Sequence, residues 1–148
     1  YKVFFLGGGK DVAARASQKL SILNYQLSIR AHGGPTELSK ATEAETDDMI
    51  NYINSFAPDF LFVAFKPGEQ EKWLAHTMKK TNAKVFMSGG GAFDMIAGVT
   101  PRAPIALQKL NLEWLWRLIL EPSRFRRIFN AVLVFPWLVF REKLSTNN

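Results

Sequence analysis

Two glycine triplets followed by charged residues are the feature of this 148-residue sequence best suited to ligand binding. They occupy residues 7–9 and 89–91, and Lys10 and Asp94 follow them. Glycine leaves backbone N–H groups uncovered, so a glycine loop that opens a helix can bind phosphate oxygens. The glycines that we predict to contact a ligand are Gly7, Gly8, Gly90 and Gly91.

Three arginines near the other end of the sequence suit the same chemistry. Arg124 and Arg127 lie three residues apart, so a helix would place them on one face, and Arg117 lies one turn before Pro122. The planar guanidinium group donates two hydrogen bonds to phosphate oxygens. This spacing predicts a clamp for a diphosphate.

Other chemistries have little support. The chain lacks cysteine, which excludes disulfides and thiol nucleophiles. His32 and His76 are isolated, and no cluster has the spacing of metal ligands, so we expect neither a metal nor another cofactor. The glycines match neither the P-loop pattern nor the dinucleotide-binding pattern.

The elements that must position these residues alternate between strand and helix. Apolar runs at residues 3–6, 27–31, 60–65 and 84–88 predict strands, and helical periodicity separates them at residues 12–20, 42–56 and 70–81. This alternation predicts an α/β, Rossmann-like parallel sheet of about four strands flanked by helices. Ligands of such sheets bind beyond the carboxyl ends of the strands, where all four predicted loops contain glycine.

The last third of the sequence has a different character and predicts a second region, residues 102–148. It holds eight Lys or Arg against three Asp or Glu, whereas residues 1–101 hold eleven against ten. Its helical patterns form a basic, apolar appendage with breaks near Asn111 and Pro122. The apolar run at residues 128–140 is shorter than the ~20 residues that span a bilayer. It fits equally a helix in a membrane interface and a helix packed on the domain.

Four segments resemble the WecG/TagA/CpsF glycosyltransferase family of bacteria. They are FFLGGGKDVAARA, PDFLFVAFKPGEQEKWLA, GGGAFDMIAG and RAPIALQKLNLEWLWRLILEPSRFRR. The last is the most specific, because R-A-P, Q-K-L, L-E-W-L-x-R-L and E-P-x-R recur there in order. Members are longer at the N-terminus, so we expect the chain to correspond to about the C-terminal two-thirds of the family.

The resemblance implies a function in cell-surface polysaccharide or teichoic acid synthesis. It implies an inverting, metal-independent transfer of N-acetylmannosamine or a related sugar, from a UDP-sugar donor to a polyprenyl-diphosphate-linked N-acetylglucosamine acceptor. The appendage would cover the active site and face the membrane, with the protein on the cytoplasmic side. Nucleic acid is not an expected partner, and a homo-oligomer is left open.

The resemblance also implies which residues form the nucleotide-sugar site. Asp94 would contact the uracil or ribose and Gln70 the sugar or diphosphate, whereas Arg102 receives no role. The full set of matching positions is Gln70, Glu71, Phe93, Asp94, Arg117, Arg124 and Arg127. The family's general base, an aspartate, belongs to a preceding part, so no residue of this sequence inherits that role.

Departures from the family pattern leave two other functions open. Residues 64–68 read Ala-Phe-Lys-Pro-Gly where relatives carry Gly-x-Gly-x-Pro, so two glycines are replaced. We therefore expect a donor sugar different from that of the best-known members. A nucleotide-binding module without transferase activity and a basic membrane-binding or nucleic-acid-binding module are the alternatives.

Overall fold

The computed structural model describes residues 1–9 and 11–146, apart from the side chains of Arg124, Arg127, Ile128 and residues 143–146. The chain divides into two compact units, Tyr1–Pro101 and Arg102–Asn148.

The first unit alternates strands and helices along the chain, as the periodicity predicts. Its strands are β1 (Lys2–Gly7), β2 (Ser28–His32), β3 (Phe60–Ala64) and β4 (Val85–Ser88). Its helices are α1 (Val12–Leu23), α2 (Glu43–Phe56), α3 (Glu69–Thr77) and α4 (Ala92–Ala97). The four strands form one parallel sheet in the order β2-β1-β3-β4. The predicted α/β class is therefore confirmed.

Helices cover both faces of the sheet because successive side chains of a strand point to opposite faces. Phe4 and Leu6 of β1 pack with residues of α2 and α3, including Ile53 and Trp73. The alternate residues of β1 pack instead with Ala13 and Ala16 of α1 and with Phe93 and Ala97 of α4. Burial on both faces explains why the strands read as continuous apolar runs.

Local hydrogen bonds define where α2 begins. The Thr42 hydroxyl accepts from the backbone N–H of Glu45 at 3.2 Å, and the Glu45 carboxylate accepts from the Thr42 N–H at 2.8 Å. This reciprocal pair is a capping box, which satisfies two N–H groups that the first turn of a helix leaves unbonded. Glu43 and Glu45 in that turn also interact favourably with the helix dipole.

Helix α3 is shorter than its sequence pattern suggests. It ends at Thr77 rather than near residue 81, and the Thr77 hydroxyl donates to the Trp73 carbonyl at 2.8 Å. Of the apolar residues in this segment, Trp73 is buried and Leu74 is half-buried, whereas Met78, which follows the helix, is 44% exposed.

All regular elements described in the second unit are helices or helical turns. These are α5 (Ile105–Lys109), α6 (Glu113–Leu120), a 3₁₀ turn (Pro122–Arg124), α7 (Phe125–Phe129), a π-helical turn (Asn130–Val134) and α8 (Phe135–Thr146). The expected breaks occur at Asn111, whose φ is 56°, and at Pro122. In the part of the chain described, no helix is both long enough and apolar enough to cross a bilayer.

The π-helical turn comes immediately before Pro136. Proline has no backbone N–H and its ring clashes with the carbonyl four residues earlier, so it cannot continue an ordinary α-helical ladder. Widening the preceding turn is a common way to accommodate such a residue. The structure places this irregularity at Asn130–Val134, and Pro136 follows as the second residue of α8.

Candidate functional site

The loops after β1 and β3 diverge at the centre of the sheet. The loop after β1 leads into α1, and the loop after β3 leads into α3 on the opposite face. Neighbouring loops that part in this way open a crevice at the carboxyl edge, where parallel sheets bind their ligands. The two loops remain joined at their base, because the Gly8 N–H donates to the Ala64 carbonyl at 2.5 Å.

Two phenyl rings hold the first glycine loop from opposite sides. A Cβ placed on Gly7 would lie 2.7 Å from the Phe65 ring, and one on Gly34 would lie 2.6 Å from the same ring. On the other side, a Cβ on Gly8 would lie 3.1 Å from Phe93. Close packing against these rings therefore explains why glycine is needed at positions 7 and 8. We predicted both residues as ligand contacts.

Other glycines at this edge have no packing neighbour. A Cβ on Gly9 or Gly90 would meet nothing within 4 Å, and their φ angles of 78° and 44° are ones that favour glycine. Gly91 precedes α4 with φ of −72°, which any residue adopts. Gly9 and Gly90 are thus the positions where backbone is open to a ligand.

Phe93 and Asp94 occupy the first turn of α4. Phe93 is 2% exposed and packs against Phe5 with ring centroids 4.6 Å apart, so it acts as a core residue beneath the glycine loops. Asp94 is half-buried. Its backbone carbonyl accepts from the N–H groups of Val99 and Thr100, which ends the helix in a tight turn. The packing of Phe93 against Gly8 places the first turn of α4, which includes Asp94, beside the first glycine loop.

Gln70 organises the loop after β3. Its side chain is buried, its Oε1 accepts from the Phe65 N–H at 3.1 Å, and its Nε2 donates to Glu71 at 2.7 Å. The other Glu71 oxygen accepts from the Gly68 N–H at 2.6 Å. The hydrogen bonds from Gln70 and Gly68 hold the pKa of Glu71 below its ordinary value. Gln70 and Glu71, both predicted as site residues, therefore stabilise the loop after β3 through hydrogen bonds.

Charged side chains at the mouth of the crevice were not among the predicted site residues. The Lys66 ammonium lies 2.9 Å from one oxygen of Glu37, and the Lys40 ammonium lies 2.7 Å from the other. The two lysines hold the pKa of Glu37 below its ordinary value, and Glu37 raises the pKa of Lys66. The sequence shows Lys66 as a departure from the family pattern but offers no signal for its partner.

The predicted arginines belong to the second unit. Arg117 lies in the last turn of α6. The backbone places Arg124 in the 3₁₀ turn and Arg127 in α7, but their side chains lie outside the described residues. Arg102 now has a contact, since its Nε lies 3.7 Å from a carboxylate oxygen of Glu113 in the first turn of α6. Both side chains are exposed, so this pair contributes little stability.

No metal site is evident among the described side chains, because nowhere do three His, Asp or Glu residues come together as ligands. What this edge offers instead is open backbone at Gly9 and Gly90, a half-buried carboxylate at Asp94 and a cationic pair around Glu37. These groups can bind a ligand that carries both hydroxyl groups and negative charge.

A parallel sheet with a glycine-lined crevice at its switch point defines the class of α/β proteins that bind ligands at the carboxyl edge of the sheet. The whole sequence, residues 1–148, matches the Glycosyl transferase WecG/TagA/CpsF family. The chain belongs to that family, as the sequence motifs predict.

Curated relatives carry a specific name. A protein of Staphylococcus aureus strain MRSA252, named N-acetylglucosaminyldiphosphoundecaprenol N-acetyl-beta-D-mannosaminyltransferase, is 30% identical over 142 residues. The match covers 96% of this chain and 53% of the relative. A protein of the same name from strain NCTC 8325 / PS 47 is 29% identical with the same coverage. The chain therefore spans about half the length of these relatives, less than the two-thirds expected.

Proposed function

We propose that this chain is the donor-binding part of a glycosyltransferase. In this proposal the donor is a UDP-sugar and the acceptor is N-acetylglucosamine linked through a diphosphate to a polyprenyl lipid. The sugar moved is N-acetylmannosamine or a close relative. The observation that carries the proposal is the open crevice at the carboxyl edge of the sheet in a chain of this family.

The groups at this edge suggest how a UDP-sugar would be bound. Gly9 and Gly90 would let the diphosphate approach the backbone, while the Asp94 carboxylate would accept hydrogen bonds from the uracil or ribose. Gln70 and Glu71 would act indirectly, because they hold the loop that forms one wall. From the second unit, we assign Arg117, Arg124 and Arg127 to the diphosphate by their match to the family pattern.

The chemistry divides between donor binding and acceptor activation. As the acceptor oxygen bonds to the anomeric carbon, the bond from that carbon to UDP breaks and its electron pair leaves with UDP. A base must take the acceptor's proton, and positive groups must stabilise the charge on the departing diphosphate. We assign the base to a part of the family outside the matched region, so this chain supplies the second task.

Binding of UDP tests the proposal directly. We expect UDP to raise the melting temperature of the chain, because a ligand that binds only the folded state stabilises it. Asp94→Asn should reduce this shift, since an amide cannot replace both acceptor oxygens of the carboxylate. Asp48→Asn on the exposed face of α2 makes the same chemical change away from the crevice and should leave the shift unaltered.

Turnover separates binding from catalysis. With UDP-N-acetylmannosamine and a lipid-linked N-acetylglucosamine diphosphate, we expect this chain to release no UDP above background. Measurable transfer would show that the base lies within residues 1–148. If UDP leaves the melting temperature of the unaltered chain unchanged, the donor-binding proposal is wrong.

The second unit supports a further part of the proposal, which is peripheral binding to the inner face of the cell membrane. Several of its large apolar side chains are more than half exposed, and cationic residues flank the apolar run at residues 128–140. The most exposed aromatic side chains are Phe125, Phe135, Trp137 and Phe140. Arg141 stacks on Trp137 at 5.3 Å, an arrangement that suits a lipid headgroup boundary.

A further inference from the structure

The Lys66–Glu37 ion pair crosses the end of the strand that carries the first glycine loop. Lys66 follows β3 and Glu37 follows β2, and β1 lies between those two strands in the sheet. Phe65, the residue before Lys66, also spans β1, because its ring packs against Gly7 and Gly34. The ammonium of Lys66 is therefore held over the crevice mouth rather than on an outer helix.

Glu37 does not pair with Lys66 alone. It is shared between two lysines, Lys40 at 2.7 Å and Lys66 at 2.9 Å, and the negative charge of Glu69 also helps to raise the pKa of Lys66. The Lys66 side chain remains 63% exposed although it is paired. An exposed ammonium can exchange one carboxylate partner for another anion at small cost, because water already solvates it.

The neighbouring backbone leaves space for such an anion. A Cβ on Gly68, two residues after Lys66, would meet nothing within 4 Å, and the same holds for Gly9 after β1. Lys66 therefore has open backbone on the side of Gly68, beside its own exposed ammonium.

We propose that Lys66 binds a negatively charged oxygen of the donor, a phosphoryl or carboxylate oxygen, and that Glu37 is the counterion it leaves on binding. This inference rests on the proposed function and deepens it, because it makes Lys66 a specificity-determining residue for the donor. In the empty crevice, Glu37 holds the ammonium over the mouth. In the occupied crevice, the anion of the donor takes the place of Glu37.

Opposite effects of two substitutions test this exchange. Lys66→Met removes the cation and should weaken binding of UDP-glucuronate, measured by calorimetry at low ionic strength, by about fivefold. Glu37→Gln removes the competing carboxylate and should tighten the same binding. A merely structural ion pair would give changes of the same direction, because both substitutions break it.

The ligand series identifies which oxygen Lys66 contacts. UDP, UDP-glucose and UDP-glucuronate share the diphosphate, but only the last has a sugar carboxylate. Equal weakening of all three by Lys66→Met assigns the contact to the diphosphate, and weakening of UDP-glucuronate alone assigns it to the sugar. Either result supports an anion site at Lys66.

An ion pair at the opposite edge of the sheet provides the control. Lys84 and Asp59 lie 2.7 Å apart just before β4 and β3, at the amino ends of those strands. Lys84→Met and Asp59→Asn should leave all three affinities unchanged. If the unaltered chain binds UDP but Lys66→Met and Glu37→Gln change nothing, the inference fails while the proposed function stands. If the unaltered chain binds none of the three ligands, the proposed function fails first.

Discussion

Individual residues of the site divide into those that can contact a ligand and those that shape the loops. Phe93 and Gln70 were both predicted as ligand contacts because they lie in family motifs. Phe93 is buried against Phe5. The oxygen and the nitrogen of the Gln70 side-chain amide both form hydrogen bonds within the chain. Both residues therefore shape the loops at this edge, and their contact with a ligand stays a prediction.

The role of Gln70 in the loop can be measured through Glu71. Gln70→Met keeps the size of the side chain but removes both hydrogen bonds, which leaves the Phe65 N–H without its acceptor. We expect the free energy of unfolding to fall by about 1–3 kcal/mol in urea titrations. We also expect the pKa of Glu71 to rise, since the Gln70 hydrogen bond is the main cause of its lowered value.

The sign of the pH dependence follows from that shift. Because the pKa of Glu71 is lower in the folded chain than in the unfolded chain, its contribution to stability is present above the unfolded value of about 4.5 and is lost on acidification. Gln70→Met should reduce this loss. Gln108→Met is the control, because it removes a hydrogen bond from another glutamine side chain to the Ala103 carbonyl in the second unit. It should leave the NMR titration of Glu71 unchanged.

The ion pair between Glu37 and Lys66 shows what sequence could not reveal at this scale. The two residues are 29 positions apart, and that spacing does not predict a contact. Their distance depends on two strands that are not neighbours in the sheet, so only the strand order brings them together. By contrast, the arginine spacing and the glycine triplets are local patterns, which are visible without the fold.

At the scale of elements, periodicity was a good guide because each strand and helix buries one or two faces. All four strands and the three longest helices of the first unit were predicted within a few residues of their ends. The ends themselves depend on single hydrogen bonds and backbone angles. The Thr77 hydroxyl bond near the end of α3 and the left-handed Ala57 after α2 are examples that periodicity does not show.

Ala57 offers a test of how α2 ends. Its φ of 50° and ψ of 63° are in the left-handed region, which costs an alanine roughly 1–2 kcal/mol. Ala57→Gly relieves this strain, although it also makes the unfolded chain more flexible, so we expect a net gain of about 0.5 kcal/mol in unfolding free energy. Chemical denaturation measures the gain.

The same substitution inside a helix should have the opposite effect. Ala75 lies on the exposed face of α3, where glycine gains no relief and loses helix propensity. Ala75→Gly should therefore lower the free energy of unfolding by about 1 kcal/mol. A loss of stability in Ala57→Gly as well would mean that Ala57 does not adopt the left-handed conformation.

For the whole molecule, the two units differ in charge and in what they expose. The first buries apolar residues on both faces of its sheet. The second keeps many large apolar side chains exposed beside a surplus of basic residues. Composition alone predicted this contrast, but it could not decide between a packed helix and a membrane surface. The exposure of Phe135, Trp137 and Phe140 favours the membrane surface.

Sedimentation with vesicles can distinguish specific membrane contact from general stickiness. The chain should sediment with vesicles that contain phosphatidylglycerol, and replacing Phe135, Trp137 and Phe140 by serine should reduce binding by about tenfold or more. Removal of apolar surface from the headgroup region is the physical reason. Circular dichroism should show that the helical content of the variant is unchanged.

The first unit contains a control of equal exposure. Ile22, Leu23 and Tyr25 are 77%, 79% and 90% exposed at the end of α1 and in the turn that follows. Replacing these three by serine removes as much exposed apolar surface but leaves the second unit intact, so vesicle binding should persist. Equal losses in both triple variants would indicate non-specific adsorption. A loss in the first-unit variant alone would place the membrane contact on that unit, and the proposed role of the appendage would be wrong.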